Sequence, residues 1–190
     1  MSDAGGVPQE APEPDPSGGQ GGPPGEDPEA KARGLCLRML THSPRTRAQL
    51  ERALLRRGFE EEVVASVLGT FSEAGLIDDR LFAEAWVSSR HHGRRLARKA
   101  LARELRTRGI EEETVREAVD ELSDEDEEGA ARDLARRSLR GSRTKDEQTR
   151  VRRALSVLAR RGYSAGLSYR VVREGLEAEG VDVELHDPDL

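Results

Sequence analysis

The stretch ELRTRGIEEETV, residues 104–115, sets an arginine-rich segment, one glycine and three glutamates side by side, and related stretches lie fifty-odd residues away on either side. ALLRRGFEEEVV spans residues 53–64 and SVLARRGYSAGLS spans 156–168. Gly58, Gly109 and Gly162 anchor the three copies at intervals of 51 and 53 residues. Each glycine has a leucine four positions earlier (Leu54, Leu105, Leu158), an arginine immediately before it (Arg57, Arg108, Arg161) and an apolar or aromatic residue after it (Phe59, Ile110, Tyr163). A recurrence this regular is the signature of a repeat architecture.

The unit reads as two helices meeting at a glycine. Leu50 and Leu54, then Leu101 and Leu105, recur at i, i+4 and so share one helix face. The glycine suits the position just past a helix C-terminus, where the chain turns left-handed, and the preceding arginines suit the negative end of the helix dipole. Glutamates 60–62 and 111–113 then fall in the first turn of the next helix, where carboxylates are favoured. Phe59, Ile110 and Tyr163 are placed to pack back onto that helix and fix the angle between the pair.

Outward from this motif, residues from 29 onward read as helix after helix with no strand-period segment. The spacing predicts nine helices, near residues 30–40, 46–57, 60–74, 78–91, 95–108, 111–122, 123–140, 146–161 and 165–178. Thr46 is a natural N-cap, and 123–126 (SDED) resembles a capping box. Three helices per unit bury too little to stand alone, so neighbouring units are expected to support one another. The expected fold is all-α: three tandem three-helix repeats (29–77, 78–122, 123–180) in an elongated, curved row. A short tail, 181–190, would follow. Residues 1–28 are rich in Gly, Pro, Asp and Glu and carry no Lys or Arg, which predicts a disordered acidic tail.

No cationic start with an apolar core marks a signal peptide, and no segment has the apolar length of a membrane span. The single cysteine, Cys36, allows no internal disulfide and fits a reducing cytoplasm; in GLCLRML it reads as a small buried side chain. The four histidines form no metal-ligand spacing, and phosphate-loop, nucleophile-elbow and dinucleotide motifs are missing, so no catalytic, cofactor or metal residues are assigned. The chain reads as a binding protein.

The strongest local signature is GLIDDRLFAEAWVSSR, residues 75–90. Its paired aspartates, Asp78 and Asp79, have no third ligand nearby and read as an N-cap, while Leu81, Phe82, Ala85 and Trp86 recur at core spacing. Asp78, Asp79, Phe82, Trp86, Gly58, Gly109 and Gly162 are therefore taken as architectural.

The net charge of −6 conceals banding. Residues 80–109 hold nine basic and two acidic side chains, 110–128 one and eleven, and 129–163 eleven and three. Arg95, Lys99 and Arg103 are spaced i, i+4, i+8, with Arg94, Arg98 and Arg106 beside them. The later block adds Arg132, Arg136, Arg150, Arg152 and Arg153. Such strips follow nucleic-acid phosphates or an acidic protein groove; the competing reading is a solvated face neutralised by the acidic block next door.

The run G-L-I-D-D-x-x-F-A-x-x-W-V-x-S-R, with Gly93, Leu96, Leu101, Glu104-Leu105 and Arg108-Gly109-Ile110 after it, resembles the RecX family of bacterial RecA regulators over about residues 30–180. The resemblance implies three tandem three-helix repeats. It further implies a cytoplasmic, non-enzymatic protein in recombination, repair and the SOS response, and a monomer is expected. Such a protein would bind RecA in the groove of its filament on single-stranded DNA, with duplex DNA a further ligand, and restrain ATP hydrolysis, strand exchange and coprotease activity. The basic residues above are then the candidate RecA and DNA contacts, chosen by charge. The long acidic N-terminus departs from the minimal family pattern. The alternative is a stand-alone DNA-binding regulator using pairs such as 47–74 as helix-turn-helix units, and a weaker third reading is a purely structural scaffold.

Overall fold

The structure, a computed structural model, describes residues 27–181. The predicted disorder of the N-terminal tail and the C-terminal tail lie outside the described residues, apart from Asp27, Pro28 and Val181. Asp27 caps the first helix by accepting a hydrogen bond from Glu29 N–H at 3.0 Å, and Pro28 takes the first helical position, where no amide hydrogen is needed.

Nine α-helices follow among the described residues, in three units. The first unit holds α1 (Pro28–His42), α2 (Arg47–Leu55) and α3 (Glu61–Glu73); the second α4 (Asp79–Arg94), α5 (Arg98–Thr107) and α6 (Glu112–Asp120); the third α7 (Asp124–Arg140), α8 (Glu147–Arg161) and α9 (Ala165–Glu177). Each unit closes around its own core. Leu54, Leu105 and Leu158, the repeat leucines, are fully buried, one in each. The expected caps form: Thr46 makes a reciprocal capping box with Gln49, and Ser123 accepts from Asp126 N–H at 3.0 Å.

Two predicted boundaries move. α4 continues to Arg94, and α5 begins at Arg98 rather than at residue 95. Arg95 itself closes α4 in a left-handed conformation, φ 50°, unusual for a side chain with a Cβ. It is held there from the third unit: Tyr163 Oη donates to Arg95 O at 2.9 Å, and the Arg95 guanidinium pairs with Asp133 at 2.9 Å. The predicted i, i+4, i+8 line of Arg95, Lys99 and Arg103 therefore does not exist as one helical stripe.

The units meet at two joints built alike. At the first, Thr46 Oγ1 donates to Arg108 O at 2.7 Å, and Arg47 N–H donates to Asp79 Oδ1 at 2.9 Å. At the second, Ala97 N–H donates to Arg161 O at 3.0 Å, and Arg98 N–H donates to Glu127 Oε1 at 2.9 Å. Positions 46 and 97 are the 51-residue repeat, and 108 and 161 the 53-residue one. In both joints the N-terminus of a unit's middle helix meets the C-terminus of the next unit's middle helix, whose free carbonyl accepts from the Thr46 hydroxyl at the first joint and from the Ala97 amide at the second, with the dipoles head to tail.

That end-to-end approach is why glycine stands at 109 and 162. A Cβ at Gly109 would overlap the Cβ of Ala48, and one at Gly162 would come within 2.9 Å of the Ala100 backbone nitrogen. Gly58 ends the row, and a Cβ there meets nothing within 4 Å.

Candidate protein and nucleic-acid interface

The paired aspartates divide their work. Asp78 caps α4, accepting from Leu81 N–H at 2.9 Å, whereas Asp79 reaches back across the joint to Arg47. Burial pushes the Asp79 carboxyl above its ordinary value, with the Arg47 amide and charge opposing.

α4 is rotated relative to the expected core stripe. Its buried residues are Ala83, Val87 and His91, while Leu81 is 62% exposed and Ala85 is exposed. Phe82 and Trp86 pack on the edge of the second core, stacked at 5.7 Å between centroids. Trp86 Nε1 donates to Glu104 at 2.8 Å, and the guanidiniums of Arg90 and Arg108 lie over the ring at 4.1 and 3.6 Å. Desolvation pulls the Arg108 guanidinium below its ordinary value, opposed by Glu104. The outward side of the signature helix thus lines a groove of about 700 Å³ between the first and second units, where Leu76, 50% exposed, and Leu81 face out beside Arg45 and Arg90.

The basic candidates separate into two groups. Arg98 is consumed by the second joint: it pairs with Asp124 at 2.6 Å and Glu127 at 3.1 Å and donates to Leu122 O. Arg95 pairs with Asp133 as above. Arg106 grips Glu112 through two hydrogen bonds of 2.7 and 2.6 Å, raising its own pKa and lowering that of the carboxyl. Arg132 pairs with Glu128 and, at 3.0 Å, with Glu174. Arg150 is buried and pairs with Glu179, whose carboxyl is held below its usual range mainly by that hydrogen bond. Of these five, Arg98, Arg106 and Arg132 pair with carboxylates of the 110–128 block, and Arg95 and Arg150 with Asp133 and Glu179 outside it.

The other six have no such partner. Arg94, Lys99, Arg103, Arg136, Arg152 and Arg153 are exposed, and their side chains make no hydrogen bond or ion pair among the described residues. Arg152 and Arg153 meet Arg137 and Arg160 around a cavity of about 490 Å³ between the end of α7 and the face of α8, with no carboxylate among the described residues of its lining. Arg160 was not among the sequence candidates, although Arg152, Ser156 and Arg160 stand at i, i+4, i+8 on one helix face. No carboxylate joins the four guanidiniums in this lining, although Arg152 interacts electrostatically with Asp146 outside it.

Among the described residues no three His, Cys, Asp or Glu side chains gather as a metal site, and no helix is long and apolar enough to cross a membrane. Cys36 is buried, and burial pushes its thiol pKa up.

Fold and surface together define a helical-repeat protein of three-helix units with cationic ground on the second and third. The models of the first and second three-helix domains of RecX match residues 32–70 and 78–119. A Regulatory protein RecX of Thermobifida fusca is 58% identical over 176 residues, 90% of this chain and 95% of that protein. One from Streptomyces coelicolor is 55% identical over 163 residues, 86% of this chain and 87% of that protein. The crystal structure of RecX from Lactobacillus salivarius superposes with a TM-score of 0.71 at 19% identity, over 78% of this chain and 97% of that one, a likeness of fold. A second crystal structure of a regulatory protein RecX gives 0.70 at 25% identity, over 78% and 74%. The chain belongs to the RecX family, whose named relatives are regulatory proteins.

Proposed function

We propose that this protein is a non-enzymatic, cytoplasmic modulator of RecA, acting mainly as an inhibitor. As a monomer it lies along the groove of the RecA filament on single-stranded DNA and restrains ATP hydrolysis, strand exchange and coprotease activity. The observation that carries the reading is the cluster of Arg137, Arg152, Arg153 and Arg160 around a cavity with no carboxylate in its described lining, set on a row of jointed units in a family of named regulators. A row can span successive filament protomers while its cationic face follows a phosphate strand. The groove of the signature helix supplies the protein-facing part, because solvent-facing Leu76 and Leu81 have the character of an interface rather than of a core.

The stand-alone helix-turn-helix alternative fares worse on electrostatics. A recognition helix presents its N-terminal residues to the bases, and here α3 and α6 would bring Glu61, Glu62, Glu112 and Glu113 against the phosphates. The test is RecA ATPase on single-stranded DNA titrated with the full chain. Inhibition near stoichiometry supports the reading; no effect at stoichiometric protein refutes it.

A further inference from the structure

A second cavity, of about 360 Å³, opens at the joint between the second and third units, and its walls differ in kind from the arginine cluster. Lys99 and Arg103, one turn apart on α5, line it with no intramolecular hydrogen bond or ion pair among the described residues. Tyr169 of α9 lines it too. Apart from Leu155, the aliphatic lining is small, Ala100, Ala159, Gly162 and Ala165, which leaves room for a flat ring. Tyr169 is half-buried, its hydroxyl makes no hydrogen bond among the described residues, and its ring pairs with no other aromatic there. Tyr163, also in the lining, is by contrast committed to Arg95 O across the joint.

An aromatic wall, a floor of small side chains and two cations, with no carboxylate lining them, match one nucleotide: a π-face for the base and charges for the phosphates on either side. A purely electrostatic contact needs no aromatic, and the arginine cavity has none. A duplex keeps its base faces inside the stack and offers nothing to Tyr169, whereas a single strand offers one per nucleotide. We propose that this cavity is a base-stacking subsite for single-stranded nucleic acid, in which Tyr169 stacks on one base and Lys99 and Arg103 hold its flanking phosphates. It rests on the reading above insofar as a single strand is the ligand. A base seated there touches both units at once and so fastens the joint that Gly162 makes possible.

The experiment is fluorescence anisotropy with the full chain at low salt, using a labelled oligothymidylate, an abasic strand of equal length and charge, and a duplex. The wild type should hold the intact strand about five-fold or more tighter than the abasic one. Tyr169→Ala should bring the two to parity while leaving abasic and duplex binding unchanged, and Tyr169→Phe, which keeps the ring, should retain the preference. Circular dichroism and the fluorescence of the lone Trp86 confirm that each variant is folded. Equal wild-type affinity for intact and abasic strands, no binding of any strand, or a uniform loss across all three ligands in Tyr169→Ala overturns the subsite, as does an unchanged preference in Tyr169→Ala, the result expected if the cavity takes an acidic protein segment. RecA ATPase separates the two readings. Inhibition without base preference removes the subsite and leaves the filament reading standing, and base preference without inhibition does the reverse.

Discussion

Gly109→Ala tests the joint between the first two units, because Gly58→Ala supplies an internal control. Both glycines follow a middle helix, and both have positive φ, 81° and 83°. Forcing a Cβ into that conformation costs about 1–2 kcal/mol at either site. At Gly58 this is the whole effect, since the added atom meets nothing within 4 Å. At Gly109 it overlaps Ala48 Cβ, which has no rotamer to retreat into. The two helices must part, and the bonds from Thr46 to Arg108 O and from Arg47 to Asp79 lengthen. Overpacking of this kind adds about 1–3 kcal/mol. Urea denaturation followed by circular dichroism and Trp86 fluorescence should therefore show Gly109→Ala to be the costlier change. Adding Ala48→Gly should recover part of the difference, with a coupling of about 1 kcal/mol or more in the double-mutant cycle. Equal costs at the two glycines, or zero coupling between 48 and 109, would refute the joint as described.

Reversing charge in the arginine cavity, Arg152→Glu with Arg153→Glu, should leave helicity intact and weaken single-strand binding most at low salt. The slope of log affinity against log salt should fall by roughly 0.7 for each phosphate that is no longer neutralised. The same reversal at Arg98 should instead cost stability, since that side chain holds the second joint. Glu179 has a depressed carboxyl pKa, so its contribution is present above the ordinary carboxylate range and is lost as pH falls through the folded value. Glu179→Gln should therefore destabilise the third unit by on the order of 1 kcal/mol at neutral pH and flatten the acid limb of its stability curve, as measured by thermal melts from neutral pH to about pH 3.

The fold was largely legible because its determinants are local. Helix caps, the buried repeat leucines and the glycine turns lie within a few residues of one another, and three copies of one pattern reinforce each reading. Misjudged boundaries fell where a distant contact overrides local preference. Arg95 reads as the start of a helix, yet Tyr163 and Asp133 from the next unit hold it in a left-handed cap. α4 shows the same limit, since Leu81 and Ala85 of the expected stripe are exposed and Phe82 and Trp86 reach only the core's edge, while Ala83 and Val87 are buried in it.

The sequence by itself determined that the chain is a row of three-helix units, where the units turn, and which segments carry the charge. Only the tertiary structure decided which charges remain available. An arginine's worth as a binding group depends on whether a carboxylate reaches it across a joint, a distance set by packing and not by spacing along the chain. Arg98, Arg106 and Arg150 are spent on Asp124, Glu112 and Glu179, while Arg152 and Arg153 stand with Arg137 and Arg160 around a cavity whose described lining holds no carboxylate. Tyr169 shares a cavity with Lys99 and Arg103 only because the second joint sets the third unit beside the start of α5.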